Sequence, residues 1–113
     1  MSKRTVVLMP GDGIGKIVLP EAVRVLDAIG FDADYVNADI GWEFWCKEGN
    51  ALPQRTLDML EQHKIALFGA ITSKPKTEAA KELAPVLQGK GYTYYSPIVG
   101  LRQHFHLDLC IRP

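Results

Sequence analysis

Ser96, Arg102 and Arg112 are the residues of this chain whose types and spacing best suit chemistry with a ligand. Ser96 followed by Pro97 predicts a helix start, and a helix N-terminus favours bound anions because its backbone N–H groups lack partners. Arg112 lies in a short apolar run that predicts a strand. Two guanidinium groups near one helix N-terminus would suit a small molecule with several carboxylates, although spacing alone favours the simpler interpretation that both arginines form surface ion pairs. Spacing alone leaves both interpretations open.

Three segments resemble the motifs of one enzyme family. Residues 101–113 (LRQHFHLDLCIRP) are similar to the paired-arginine signature of the β-decarboxylating dehydrogenases, which act on isocitrate, 3-isopropylmalate, homoisocitrate or tartrate. Residues 8–15 (LMPGDGIG) are similar to the opening glycine motif of that family, and residues 68–75 (FGAITSKP) to its first-domain loop. The motifs occur in the family's order, and together they span most of the chain.

Composition excludes several other classes of function. The chain has 113 residues, 47% of them hydrophobic and 23% charged, with a formal net charge of zero. This predicts one soluble domain and no partner among nucleic acids or membranes, because no basic excess and no apolar run of roughly 20 residues is present. Without a signal segment, and with Cys46 and Cys110 at no metal or disulfide spacing, we expect a cytoplasmic protein with free thiols.

The apolar pattern predicts an α/β fold, a mainly parallel sheet covered by helices. Strands are expected at residues 5–9, 31–36 and 65–68, and helices after the glycine motif, before Gly49, after Pro53, from Thr77 and after Ser96. In the first helix, Pro20 should fall in the first turn. The apolar face of that helix should contain Val18, Ala22, Val25, Leu26 and Ile29.

The glycine motif does not fit either common phosphate-binding pattern. Its third glycine comes one residue too early for a Rossmann fingerprint, and Lys16 is followed by isoleucine rather than by the Ser or Thr of a P-loop. The pattern alone therefore indicates a tight turn. The family resemblance implies instead that NAD or NADP binds nearby in a non-Rossmann manner, with Ile14 close to its adenosine end. It also implies that Thr72 and Ser73 lie between the nicotinamide and the substrate, although loop hydroxyls often bond their own backbone.

The resemblance assigns the substrate to the end of the chain. Arg102 and Arg112 would bind the malate-like carboxylates, and Ser96 would face the distal carboxylate of isocitrate. Ile98 with Val99 resembles the 3-isopropylmalate or homoisocitrate enzymes, whereas Ser96 and the two tyrosines before it resemble isocitrate enzymes. Isocitrate is favoured, and the other two acids remain alternatives.

The remaining machinery of the family lies beyond Arg112. The aspartates that bind Mg or Mn, and the catalytic tyrosine and lysine, follow this motif in the family; neither Asp12 nor the three histidines have metal-ligand spacing. We therefore expect residues 1–113 to be the N-terminal segment of the large domain, without the second domain and the C-terminal return. The resemblance implies a homodimer when the enzyme is intact, and no turnover by this chain alone. The alternatives are a short non-catalytic carboxylate or nucleotide binder and a structural partner that pairs through an open sheet edge.

Overall fold

A three-stranded parallel sheet forms the centre of the molecule. The computed structural model describes residues 4–113. Its strands are β1 (Arg4–Gly11), β2 (Ala33–Asn37) and β3 (Ala66–Ala70), in the order β2-β1-β3. The apolar run of β1 is central because it is paired on both edges, with Val7 opposite Val36 and opposite Ala66. The predicted α/β class is confirmed.

Within residues 4–113, five α-helices surround the sheet. Each element predicted from the first strand to the last helix is present, and most of its boundaries agree to within two residues. The helices are α1 (Gly15–Ala28), α2 (Trp42–Glu48), α3 (Gln54–His63), α4 (Lys76–Lys81) and α5 (Pro97–His104). A short 3-10 turn follows α4 at Pro85–Leu87. Gly49 ends α2 with φ of 76°, a left-handed conformation that glycine adopts at little cost.

The core has two parts. The first lies where α3 and α5 pack on β1, and its buried residues are Val7, Met9, Ala38, Ile40 and Leu60. The second lies between α2 and α4, and its buried residues are Trp45, Ala51, Ala79, Leu83 and Tyr94. The Trp45 indole N–H donates to the carbonyl of Ala79 over 2.8 Å, which anchors Trp45 in the second part of the core, and Trp42 packs against that part.

The first helix differs from the prediction in its start and in its buried face. It begins at Gly15 because the Val18 N–H already donates to the carbonyl of Ile14, so Pro20 lies in the second turn. Leu19 is its buried anchor, whereas the predicted core residues Val25 and Ile29 are 61% and 72% exposed. The helix is apolar on more than one side, and periodicity alone did not identify the side that packs on β1 and β3.

The strand predicted around Arg112 is not formed. After α5 the chain turns at His106, whose φ is 53°, and residues 107–113 have no regular structure. Leu109 and Ile111 are 84% and 86% exposed because this segment pairs with neither edge of the sheet. An apolar run needs a neighbouring strand to satisfy its backbone groups, and none of the described strands pairs with this one.

Candidate functional site

Three of the segments with predicted functions meet at the carboxyl edge of the sheet. The glycine turn follows β1, the loop of residues 71–75 follows β3, and the segment entering α5 contacts that loop. In open parallel sheets, ligands bind beyond the carboxyl ends of the strands. This edge is therefore the candidate site.

The glycine motif brings three backbone segments into close approach. A Cβ on Gly15 would lie 2.0 Å from the carbonyl oxygen of Pro10, and one on Gly69 would lie 2.3 Å from the same atom. A Cβ on Gly11 would lie 1.9 Å from the carbonyl oxygen of Ala70. The glycines therefore let α1 start directly against β1 and β3, which gives the tight-turn interpretation a packing reason.

Asp12, within the glycine motif, is the residue that joins the loops. Its carboxylate accepts hydrogen bonds from the backbone N–H of Trp42 over 2.8 Å and from that of Thr72 over 2.9 Å. Its own N–H donates to the carbonyl of Ala70 over 2.7 Å. These partners lie 30 and about 60 residues away, so no local pattern reveals them. In residues 4–113, Asp12 belongs to no group of three His, Cys, Asp or Glu side chains that could hold a metal.

The residues predicted to contact the cofactor lie in the two loops that Asp12 joins. Ile14 is 65% exposed at the start of α1, and Thr72 and Ser73 are exposed after β3. The Ser73 hydroxyl is 2.8 Å from the Tyr94 hydroxyl, which also donates to the carbonyl of Thr72 over 3.3 Å. Ser73 thus bonds a distant side chain, and the sequence pattern gave no sign of Tyr94 in this position.

Ser96 and Arg102 lie at opposite ends of α5. Ser96 occupies the N-cap position, as predicted, but its hydroxyl makes no capping hydrogen bond and so remains available to a ligand. Arg102 is exposed in the last turn, about 9 Å further along the axis at 1.5 Å per residue. Its guanidinium contacts the Cys110 thiol at 4.0 Å.

The arginines do not form the surface ion pairs considered as an alternative. In the described part of the chain, neither Arg102 nor Arg112 lies within salt-bridge distance of a carboxylate, whereas Arg24 and Arg55 do. Arg112 is exposed in the irregular segment after α5, two residues beyond Cys110. The structure thus brings Thr72 and Ser73 together with the segment before Ser96, and it leaves both arginines at the far end of α5.

Two cavities flank this region. The larger, about 350 Å³, lies beneath α5 on the sheet and is lined by Met9, Leu60, Lys64, Ala66, Leu101, Phe105 and Leu107. It contains none of the predicted site residues, and its lining is almost entirely apolar. The smaller, about 230 Å³, lies at the carboxyl ends of β1 and β2, beside the glycine turn, and is lined in part by Lys16 and Glu43.

Glu43 carries the strongest electrostatic perturbation beside the glycine turn. Hydrogen bonds from Lys47 at 2.6 Å and from Lys16 at 3.0 Å hold the pKa of the Glu43 carboxyl at about 2, below its ordinary 4.5. The Lys16 pair connects α1 to α2, whereas the Lys47 pair lies within α2. Lys16 and Glu43 line the smaller cavity, and Lys47 binds Glu43 from within α2.

The charge on Glu43 should make stability depend on acid pH. Because the folded pKa is depressed, its stabilising effect is complete above pH 4.5 and declines as the pH falls toward 2. We expect the midpoint of thermal unfolding of wild type to fall more steeply across this range than that of Glu43→Gln, with a smaller difference in high salt because all three groups are exposed. Parallel curves for the two proteins would contradict the assignment.

Comparison with known proteins identifies related sequences. The family described as isocitrate/isopropylmalate dehydrogenase matches residues 5–113. Protein DlpA of Legionella pneumophila is 41% identical over 108 residues, covering 96% of this chain and 18% of DlpA. The homoisocitrate dehydrogenase of Methanocaldococcus jannaschii is also 41% identical, with 96% of this chain and 27% of that enzyme covered. A 3-isopropylmalate dehydrogenase of Cupriavidus pinatubonensis is 32% identical, with 96% and 28% covered.

The chain spans less than a third of the length of these relatives. Within residues 4–113, no helix is both long enough and apolar enough to cross a bilayer.

Proposed function

This chain belongs to the isocitrate/isopropylmalate dehydrogenase family, and we therefore propose that residues 1–113 form the N-terminal segment of the large domain of a decarboxylating dehydrogenase. The intact enzyme would oxidise and decarboxylate a 2-hydroxy acid with NAD or NADP. The observation that carries the proposal is the meeting of the glycine turn, the Thr72–Ser73 loop and the start of α5 at one edge of a parallel sheet. This arrangement joins two of the three motifs that suggested the family, and the third, residues 101–113, begins toward the far end of α5.

The cofactor is proposed to lie over the glycine turn and the loop after β3. Ile14 offers exposed apolar surface to the adenosine end, and the hydroxyls of Thr72 and Ser73 offer hydrogen-bonding groups to an amide or a carboxylate. When bound, NAD or NADP supplies the hydride acceptor. The part of this chain is then to orient the cofactor.

The described residues do not fit a metal site. They contain no cluster of three potential ligands. We therefore propose that the Mg or Mn of the intact enzyme takes its ligands from chain outside residues 1–113, together with the catalytic residues.

The substrate is proposed to bind along α5. Arg102 and Arg112 would pair with the carboxylates shared by all substrates of the family, since a planar guanidinium accepts a carboxylate through two parallel hydrogen bonds. The Ser96 hydroxyl, free of a capping bond, would face the distal carboxylate of isocitrate. Isocitrate is favoured; 3-isopropylmalate and homoisocitrate are the alternatives, and the apolar Ile98 and Val99 support both.

Assembly and location complete the proposal. We propose that the intact enzyme is a homodimer acting on a small hydroxy acid, with no nucleic-acid or membrane partner. The free thiols of Cys46 and Cys110 support a location of the intact enzyme in the reducing cytoplasm.

Calorimetry on the 113-residue chain tests the substrate assignment. Isocitrate is expected to release heat on binding to wild type but not to Arg102→Ala, while the chain shows no turnover with isocitrate, NAD and Mg. Absence of heat with wild type would contradict a carboxylate site on α5. Turnover by the chain alone would contradict the view that the catalytic groups lie elsewhere.

A second candidate, a non-catalytic partner module, is favoured by the exposed apolar surface of α1. Val18, Val25 and Ile29 are 45%, 61% and 72% exposed, and β2 and β3 are both edge strands. Such surfaces promote association between chains. A strictly monomeric chain in light scattering over a wide concentration range would count against this candidate and leave the enzyme segment.

A further inference from the structure

The loop carrying Thr72 and Ser73 is held on one side by Asp12. Thr72 and Ser73 are exposed and lie outside regular secondary structure, so the conformation of the loop depends on hydrogen bonds to residues outside it. The Asp12 carboxylate accepts the Thr72 N–H, and the Asp12 N–H fixes the end of β3 through Ala70. A Cβ on Gly41 would lie 2.6 Å from the same carboxylate, so the glycine at this position leaves room for it.

Tyr94 holds the other side of the loop. Its hydroxyl bonds the hydroxyl of Ser73 and the carbonyl of Thr72. Tyr94 is only 5% exposed, and its ring packs against Trp42 and Trp45, with ring centroids 5.0 and 5.4 Å away. A ring so fixed presents its hydroxyl in one place.

Trp42 connects the two supports. Its backbone N–H donates to Asp12 and its ring contacts Tyr94, so a shift of α2 would move both supports together. Tyr94 also lies two residues before Ser96, at the start of α5. The loop predicted to contact the cofactor is thereby connected to the helix predicted to bind the substrate.

We propose that Asp12 and Tyr94 are positioning residues that together fix the Thr72–Ser73 loop between the glycine turn and α5. The role in cofactor binding rests on the proposed function, whereas the role in fixing the loop rests on the hydrogen bonds alone. Each acts through its hydrogen bonds to Thr72 or Ser73.

Amide hydrogen exchange on the 113-residue chain tests the positioning role. Asp12→Asn and Tyr94→Phe change only the hydrogen-bonding groups, and we expect the Thr72 amide to exchange about ten-fold faster in Asp12→Asn, with faster exchange across the loop in Tyr94→Phe. The double variant should show less than the product of the two effects, because both supports hold the same short loop.

Two matched controls keep the test specific. Asp58→Asn removes an exposed carboxylate that accepts from Gln54 over 2.9 Å, and Tyr95→Phe removes a hydroxyl that donates to Gln103 over 2.8 Å. Neither contacts the loop, so exchange at Thr72 and Ser73 should match wild type. If the Thr72 and Ser73 amides exchange at the wild-type rate both in Tyr94→Phe and in a folded Asp12→Asn, the proposal is overturned. If Asp12→Asn fails to fold, the exchange rates in Tyr94→Phe decide the question alone.

Fluorescence titration with NADH separates this proposal from the function on which it rests. Weaker NADH binding by Asp12→Asn and Tyr94→Phe, but not by the two controls, supports the positioning role. Equal binding by wild type and by the folded variants overturns its cofactor part. If wild type binds no NADH, cofactor binding by this chain fails, and the exchange result alone decides whether Asp12 and Tyr94 position the loop.

Discussion

Gly15→Ala is expected to destabilise the chain by at least about 3 kcal/mol, near the upper end of the cost of overpacking and a large share of the total stability of a small domain. The added Cβ would lie 2.0 Å from the Pro10 carbonyl oxygen and 2.6 Å from the Ala70 nitrogen. Both neighbours are backbone atoms of the central sheet, which cannot rotate away as a side chain can. The substitution should therefore separate α1 from β1 and β3, and urea unfolding followed by circular dichroism measures the loss.

Gly13→Ala is the matched control within the same motif. Its φ is 49°, and no atom lies within 4 Å of the added Cβ, so we expect a loss of only about 1 kcal/mol from the left-handed backbone conformation. Gly15 lies in a helix, and alanine has the higher helix propensity. A greater loss of folding stability in Gly15→Ala than in Gly13→Ala therefore isolates the steric effect. Equal stability of the two variants would contradict the close approach of α1 to the sheet.

Arg102→Ala is expected to lower kcat/KM by about two to three orders of magnitude, the cost of truncating one member of a desolvated, hydrogen-bonded charge pair. A suitable context is a chimera in which this chain replaces the matching segment of the Methanocaldococcus jannaschii homoisocitrate dehydrogenase, which is 41% identical over 108 residues. Arg102→Lys should recover only part of the loss, because an ammonium group does not reproduce the planar, two-pronged geometry. Steady-state kinetics with each acid measures both effects.

Arg24→Ala provides the control for the loss of one guanidinium. Arg24 forms an exposed ion pair with Glu21 on α1, 2.9 Å long, and such surface pairs contribute little. Its removal should leave kcat/KM unchanged. If Arg102→Ala behaved like Arg24→Ala, the assignment of Arg102 to the substrate would be wrong.

Local signals predicted much of this fold because they act over a few residues. The apolar run of β1 indicated a buried strand, Gly49 indicated the end of α2, and Ser96 with Pro97 indicated the start of α5. Each depends on backbone geometry or on burial within one element. The family resemblance, carried by three short motifs, is likewise confirmed over residues 5–113.

Features that depend on contacts between residues distant in sequence could not be predicted from local sequence patterns. The partners of Asp12 lie 30 and about 60 residues away, and those of Tyr94 about 21 residues away, so their roles emerge only when the loops meet. The buried side of α1 and the absence of a strand near Arg112 have the same cause. Both depend on which surfaces of the sheet are available, and a one-dimensional pattern does not contain that information.

The activity of the unmutated chimera is the decisive test of the claim that residues 1–113 are the N-terminal segment of the large domain of a decarboxylating dehydrogenase. We predict that the folded chimera, with NAD or NADP and Mg, oxidises and decarboxylates a 2-hydroxy acid, with isocitrate favoured over homoisocitrate and 3-isopropylmalate. A folded chimera that turns over none of the three acids would contradict the claim.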